Sequence, residues 1–136
     1  MKHVVSPWRA ALPWLSVIAW AALIFYLSAQ PSLSTGLGIW DLILRKGAHM
    51  LEFAVLFLLL WNAIRQPMRA SGTAMALAGA ISLLYAFSDE FHQRYVPGRS
   101  GTLRDVGFDA AGIMIMSLII IVSQSKRAPR ARAPIE

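Results

Sequence analysis

The chain has no cysteine, so disulfide staples and thiol chemistry are excluded and the redox character of its compartment stays unread. Charge is scarce as well: 15% of residues are Asp, Glu, Lys or Arg, against about 25% in an ordinary soluble protein. Together with 57% hydrophobic residues, that deficit points to lipid as the solvent, and 136 residues allow one domain. Acids are fewer than bases, 7 against 13, giving a net charge of +6. The bases lie scattered between apolar runs rather than in one patch with interleaved aromatics, which argues against a nucleic-acid partner. There is no internal repeat and no serine or cysteine nucleophile motif. The arginine- and histidine-rich signature of a membrane acid phosphatase that works through a phosphohistidine is lacking too.

What the chain does have is long apolar runs. About 20 such residues cross the roughly 30 Å hydrocarbon core of a bilayer at about 1.5 Å per residue. Four runs approach this length, at about 10–28, 47–64, 73–91 and 106–122. They predict an all-α integral membrane bundle of four transmembrane helices. Gln30-Pro31 stops the first run and Arg65-Gln66-Pro67 the second. Gly36 and Gly38 break the first connection, and Pro97-Gly98 turns the third. Lys2 and Arg9 resemble the basic start of a secretory signal. The following run from Ala10 to Ser28 is 19 residues, however, longer than the about 7–15 of a cleavable segment. It also carries Trp14, Trp20 and Tyr26, so it reads as a retained helix. Trp8, Trp14, Trp40 and Trp61 read as interfacial belt residues. Gly79, Ala80, Gly107, Ala111 and Gly112 are small enough to allow close helix contacts. Residues 1–125 form the membrane domain, and 126–136 read as a basic, proline-broken, disordered tail that suits an anionic-lipid contact or a topology signal.

Basic residues in short loops set orientation. With the N-terminus inside, eight of the thirteen bases fall inside: Lys2, Arg9, Arg65, Arg69, Lys126, Arg127, Arg130 and Arg132. Six of the seven acids fall at the outer ends. The expected location is the bacterial cytoplasmic (inner) membrane, multi-pass, with both termini cytoplasmic.

The ionisable residues then gather at one membrane face. His49 and Glu52 are three apart near the start of the second span, with Lys46 one turn earlier. Tyr85, Asp89 and His92 share a face at the end of the third. Asp105 and Asp109 are four apart at the start of the fourth, with Gly112 continuing that stripe. An ionised acid costs about 2.5–3.5 kcal/mol at the centre of a membrane helix and less near its edge. Such residues turn inward and find partners, and Lys46, Arg99 and Arg104 are the available cations.

Plainer roles stand beside this one. Asp105 also suits the start of a helix, where Thr102-x-x-Asp105 fits a capping box. His49 alone also reads as an interfacial polar residue. Arg94, Arg99 and Arg104 also read as headgroup anchors, and Glu90 with Arg94 as an exposed ion pair. What resists these roles is the co-location of His49, Glu52, Asp89, His92 and Asp109.

Three stretches carry a family pattern: Arg45-Lys46-x-x-His49-x-x-Glu52-Phe53, then Tyr85-Ala86-x-x-Asp89-Glu90-x-His92-Gln93-x-x-Val96-Pro97-Gly98-Arg99, then Arg104-Asp105-x-x-x-Asp109-x-x-Gly112. With Ser28-Ala29-Gln30-Pro31 at the end of the first span, they closely resemble the VanZ-like family over about residues 20–115. The chain departs from that pattern at Asp109, where the family often has Asn, which adds one negative charge. The resemblance implies a bacterial inner-membrane protein of the cell envelope. The family name carries a phenotype, tolerance of the glycopeptide teicoplanin, rather than a reaction.

Two functions of different kind follow. One is an enzyme acting on a lipid-linked or headgroup substrate, with membrane lipids or a lipid-linked envelope precursor as partner. His49, Glu52, Asp89, His92 and Asp109 would be catalytic: a histidine as general base, with Asp89 or Glu52 orienting it. Lys46, Gln93, Arg99, Arg104 and Asp105 would bind substrate, Arg99 gripping a phosphate with both arms of its fork. The same five catalytic candidates form a nitrogen and carboxylate set suited to zinc or manganese, although their spacing is not a metal motif and fixes no cofactor. The alternative is a non-catalytic binder that shields an envelope target and lowers teicoplanin susceptibility. A proton pathway is disfavoured, because the other half of spans two to four offers only Asn62 and small residues such as Ser82.

Overall fold

The computed structural model describes residues 7–31, 38–68 and 71–127. Among them the backbone forms four helices and no strand: α1 (Pro7–Ser28), α2 (Ile39–Arg65), α3 (Ser71–Gln93) and α4 (Leu103–Arg127). They run 22, 27, 23 and 25 residues, so each at about 1.5 Å per residue reaches across a bilayer core of about 30 Å. All four are apolar enough to cross a membrane. Pro7 opens α1 at a position where a missing N–H costs nothing, and Pro13 follows within the helix's first two turns.

All four helices exceed the expected runs, α2 and α4 the most. α2 starts at Ile39 rather than near residue 47, and α4 starts at Leu103 and ends at Arg127 rather than covering about 106–122. Counting apolar residues misses the first turns of α2, which carry Asp41, Arg45 and Lys46, because charged side chains leave the backbone hydrogen bonds untouched. Lys2, Gly36, Arg69 and the tail beyond Arg127 lie outside the described residues.

α2 is the hub, packing against α1, α3 and α4, while α1 touches α2 and, lightly, α3. Its buried side chains Phe53, Leu56, Phe57 and Leu60 fill the centre. α3 answers them with a stripe of small residues four apart, Ala74, Ala78, Ser82 and Ala86, all 0% exposed. Small residues there let α3 lie close to the bulky face of α2, the arrangement that holds helices together where lipid offers no hydrophobic drive. Gly112 does the same for α4, since a Cβ there would run into the main-chain carbonyl of Met50. The other expected small residues behave differently. A Cβ at Gly79 would meet the Phe57 ring at an ordinary contact distance, 3.9 Å, whereas Ala80 and Gly107 face outward. Leu84, Met114 and Leu118 are more than half exposed on the outside, as lipid-facing residues are. Trp61, one turn before the end of α2, is buried within the bundle, and the Arg65 guanidinium lies 4.4 Å from its ring centre.

The up-and-down course brings the end of α1, the start of α2, the end of α3 and the start of α4 to one end of the bundle. Cross-contacts fix them there. The Trp20 indole donates to the Glu52 carbonyl at 2.9 Å, and the Tyr85 hydroxyl to the Ala21 carbonyl at 2.7 Å.

Candidate functional site

The buried stripe of α3 changes character within one turn. After Ala86 the inward positions are Asp89, Glu90 and Gln93, which are 3%, 4% and 4% exposed. Glu90 follows Ala86 by four residues and so continues the stripe inward. It is therefore no surface ion pair: Arg94 turns instead to the Gly101 carbonyl, at 3.4 Å. Gln93 holds both acids, its amide donating to Asp89 Oδ2 at 2.8 Å and to Glu90 Oε1 at 3.4 Å.

α4 supplies Asp109, which is 0% exposed. Its Oδ1 lies 3.5 Å from Nδ1 of His49 on α2. Atoms of His49, Asp89 and Glu90 capable of holding a metal lie within 4.8 Å of one another. Both oxygens of Asp109, Asp89 Oδ1 and His49 Nδ1 are buried with no hydrogen-bond partner. Glu52, one turn beyond His49, lines a small cavity of about 90 Å³ with His49, Ser28 and Arg99. His49, Asp89 and Asp109 thus converge, and Glu52 stands beside them. His92 is turned toward α1, its ring 4.6 Å from that of Phe25, with a buried, unpartnered Nε2.

The start of α4 shows why the acids divide as they do. Thr102 precedes the helix, and its hydroxyl accepts the Asp105 backbone N–H at 3.3 Å, half of the expected capping box. The other half comes from a different helix: the Thr102 N–H donates to Glu90 Oε2 at 3.1 Å. Asp105 is thereby free of capping duty and forms an ion pair with Lys46. Gly101 is required beside this joint, because a Cβ there would strike the Glu90 carbonyl.

The cations are arranged around a larger cavity of about 610 Å³ between the start of α2, the α3–α4 loop and the start of α4. Its lining combines Lys46, Arg99 and Arg104 with the apolar Leu42, Ile43 and Phe108. His49, Gln93 and Asp105 reach it as well. Lys46 Nζ stands 5.4 Å over the Phe108 ring. Arg104 is exposed. Arg99 spends two of its donors at the end of α1, with Nη2 on the Leu27 carbonyl at 3.0 Å and Nε on the carbonyl of Gln30, just beyond the helix, at 2.9 Å. Its charge opposes the negative pole of the helix there. Arg45 lines both cavities, as do His49 and Arg99.

The spacing of His49, Asp89 and Asp109 is enough to bring them together from sequence. Two participants escape such spacing. The four-residue spacing of Glu90 and Arg94 suggests a pair, although the small-residue stripe from Ala74 to Ala86 signals the inward face of Glu90. The Thr102 N–H carries no side-chain signal at all.

These features define a class, a four-helix membrane bundle with an ionisable cluster buried at one end beneath a cationic, part-apolar cavity. The family model described as VanZ/LLP1 matches residues 13–124, most of the chain, and this protein belongs to that VanZ-like family. No curated protein and no solved structure matches it.

Proposed function

We propose that this protein takes the phosphate-bearing headgroup of a membrane lipid or lipid-linked envelope precursor into the larger cavity and acts on it with the buried cluster. The observation that carries this reading is the composition of that cavity, about 610 Å³ lined by Lys46, Arg99 and Arg104 together with Leu42, Ile43 and Phe108. Cations suit a phosphate, the apolar residues suit the first carbons of an acyl or polyprenyl chain, and His49 reaches the same space. Arg104 supplies charge for the headgroup, with Lys46 beside it in its ion pair with Asp105, while Arg99 is partly engaged at the end of α1. His49 is the residue proposed to exchange a proton, as histidine does in general acid–base catalysis, with Asp109 Oδ1 3.5 Å from its ring to orient it. Glu52, Asp89 and Glu90 complete the reacting centre. The proposed setting is the bacterial inner membrane with both termini cytoplasmic, which puts the cavity at the outer leaflet.

The test is lipid retention by protein purified in mild detergent. Phosphate-headgroup lipid is expected to co-purify with the wild type and to fall about tenfold in Lys46→Ala/Arg104→Ala. Equal retention in both would remove the cavity from the account. Retention that depends on the cations, without any product when the protein is incubated with envelope lipids, would favour a binder that shields its target over an enzyme.

A further inference from the structure

We infer that His49, Asp89 and Glu90 form a binding site for a divalent cation of the zinc–manganese kind. The inference goes beyond the headgroup reading and does not depend on it. Three ligand atoms no more than 4.8 Å apart leave a point within about 2.8 Å of each. Side-chain shifts of under about 1 Å then reach the about 2.0–2.2 Å of a zinc–nitrogen or zinc–oxygen bond. One imidazole and two carboxylates match these metals better than the all-oxygen shells of calcium or magnesium.

Two further observations point to a cation rather than to a merely structural cluster. First, a ligand atom of the site is buried without a partner: Asp89, at 3% exposure, keeps Oδ1 without a hydrogen bond. Meanwhile Lys46 is engaged with Asp105, and Arg99 with the end of α1. Second, the ligands are held as metal ligands are held. Gln93 donates to both carboxylates, the Thr102 N–H fixes Glu90, and Asp109 lies 3.5 Å from the His49 ring. Partners of this kind orient ligating groups and are worth about 10- to 100-fold in metal affinity. With the cation bound, His49 is a ligand and gives up the proton-exchanging role of the headgroup reading, which passes to Glu52 in the smaller cavity that both residues line.

The test uses the full chain, purified, stripped with chelator and titrated with Mn²⁺ and, separately, Zn²⁺ by calorimetry and by thermal unfolding. One ion per chain is expected, with a rise in unfolding temperature. Asp89→Asn and Glu90→Gln keep the shape of the site and one acceptor oxygen each, so both are expected to fold, as checked by circular dichroism and gel filtration. Each is expected to weaken binding at least tenfold and to lose the metal-induced thermal shift. Asp109→Asn, which keeps an oxygen to face His49, is expected to weaken binding less than either. No saturable binding by the wild type, or equal binding by Asp89→Asn and Glu90→Gln, overturns the inference. Lipid retention, measured apart from metal, still tests the headgroup reading.

Discussion

At the residue scale, Glu90 and Thr102 carry more than their sequence positions suggest. Glu90 accepts the Thr102 N–H and so completes, from α3, the cap at the start of α4. Glu90→Gln keeps an oxygen for that N–H and is expected to hold near wild-type stability without bound metal. Glu90→Ala leaves the donor without its partner and is expected to cost about 1–3 kcal/mol, while Thr102→Ala is expected to cost about 1 kcal/mol. Unfolding of the metal-stripped protein in detergent ranks the three, and equal stability of the Ala and Gln variants at position 90 would contradict the shared cap. His49, Asp89 and Asp109 were legible because ionisable residues at helical spacing in apolar runs must turn inward. The partition of the acids was not legible. Whether Asp105 caps or pairs depends on Glu90 from another helix, and no spacing within one helix reports that. His92 shares the spacing of Asp89 yet turns to Phe25, a choice made by the packing of α1.

At the scale of elements, the site exists because α2 and α4 approach closely and because α1 is tied at its end. Gly112→Ala forces a methyl against the Met50 carbonyl and is expected to cost about 1–3 kcal/mol. Gly107→Ala meets nothing within 4 Å and is expected to raise stability by up to about 1 kcal/mol, the helix-propensity gain of Ala over Gly. The two substitutions are chemically identical, so unfolding of the pair isolates the contact, and equal effects would refute it. Arg99 joins the α3–α4 loop to the Leu27 carbonyl of α1 and to the Gln30 carbonyl just beyond it through two donors. Arg99→Ala is expected to speed hydrogen exchange around residues 25–30 roughly tenfold, with Arg99→Lys intermediate because an ammonium cannot reproduce the fork. Unchanged exchange in Arg99→Ala would mean that the tie does not hold α1. The four helices were readable from hydrophobic length alone, but their ends were not. The first turns of α2 carry Asp41, Arg45 and Lys46, which an apolar count treats as a boundary and the backbone does not.

At the scale of the whole molecule, the protein is a bundle whose polar chemistry is concentrated at one end and whose lateral surface is apolar. The orientation that puts this end outside rests on the distribution of basic residues, and the absence of cysteine makes it directly testable. Ser100→Cys, in the α3–α4 loop, is expected to react with a membrane-impermeant maleimide in intact cells. Gln66→Cys, at the opposite end, is expected to react only after lysis. The reverse pattern would move the cavity to the inner leaflet. The central claim is that the buried cluster performs chemistry on an envelope lipid or lipid-linked precursor. Its most direct test is to compare the complete lipid and lipid-linked precursor profiles of cells carrying the wild type or His49→Ala, matched for membrane abundance. A species that accumulates or disappears only with the wild type is the expected result and would identify the substrate class. Identical profiles at equal abundance would contradict the claim of chemistry, leaving the cavity as a binding site whose occupant co-purifies unaltered.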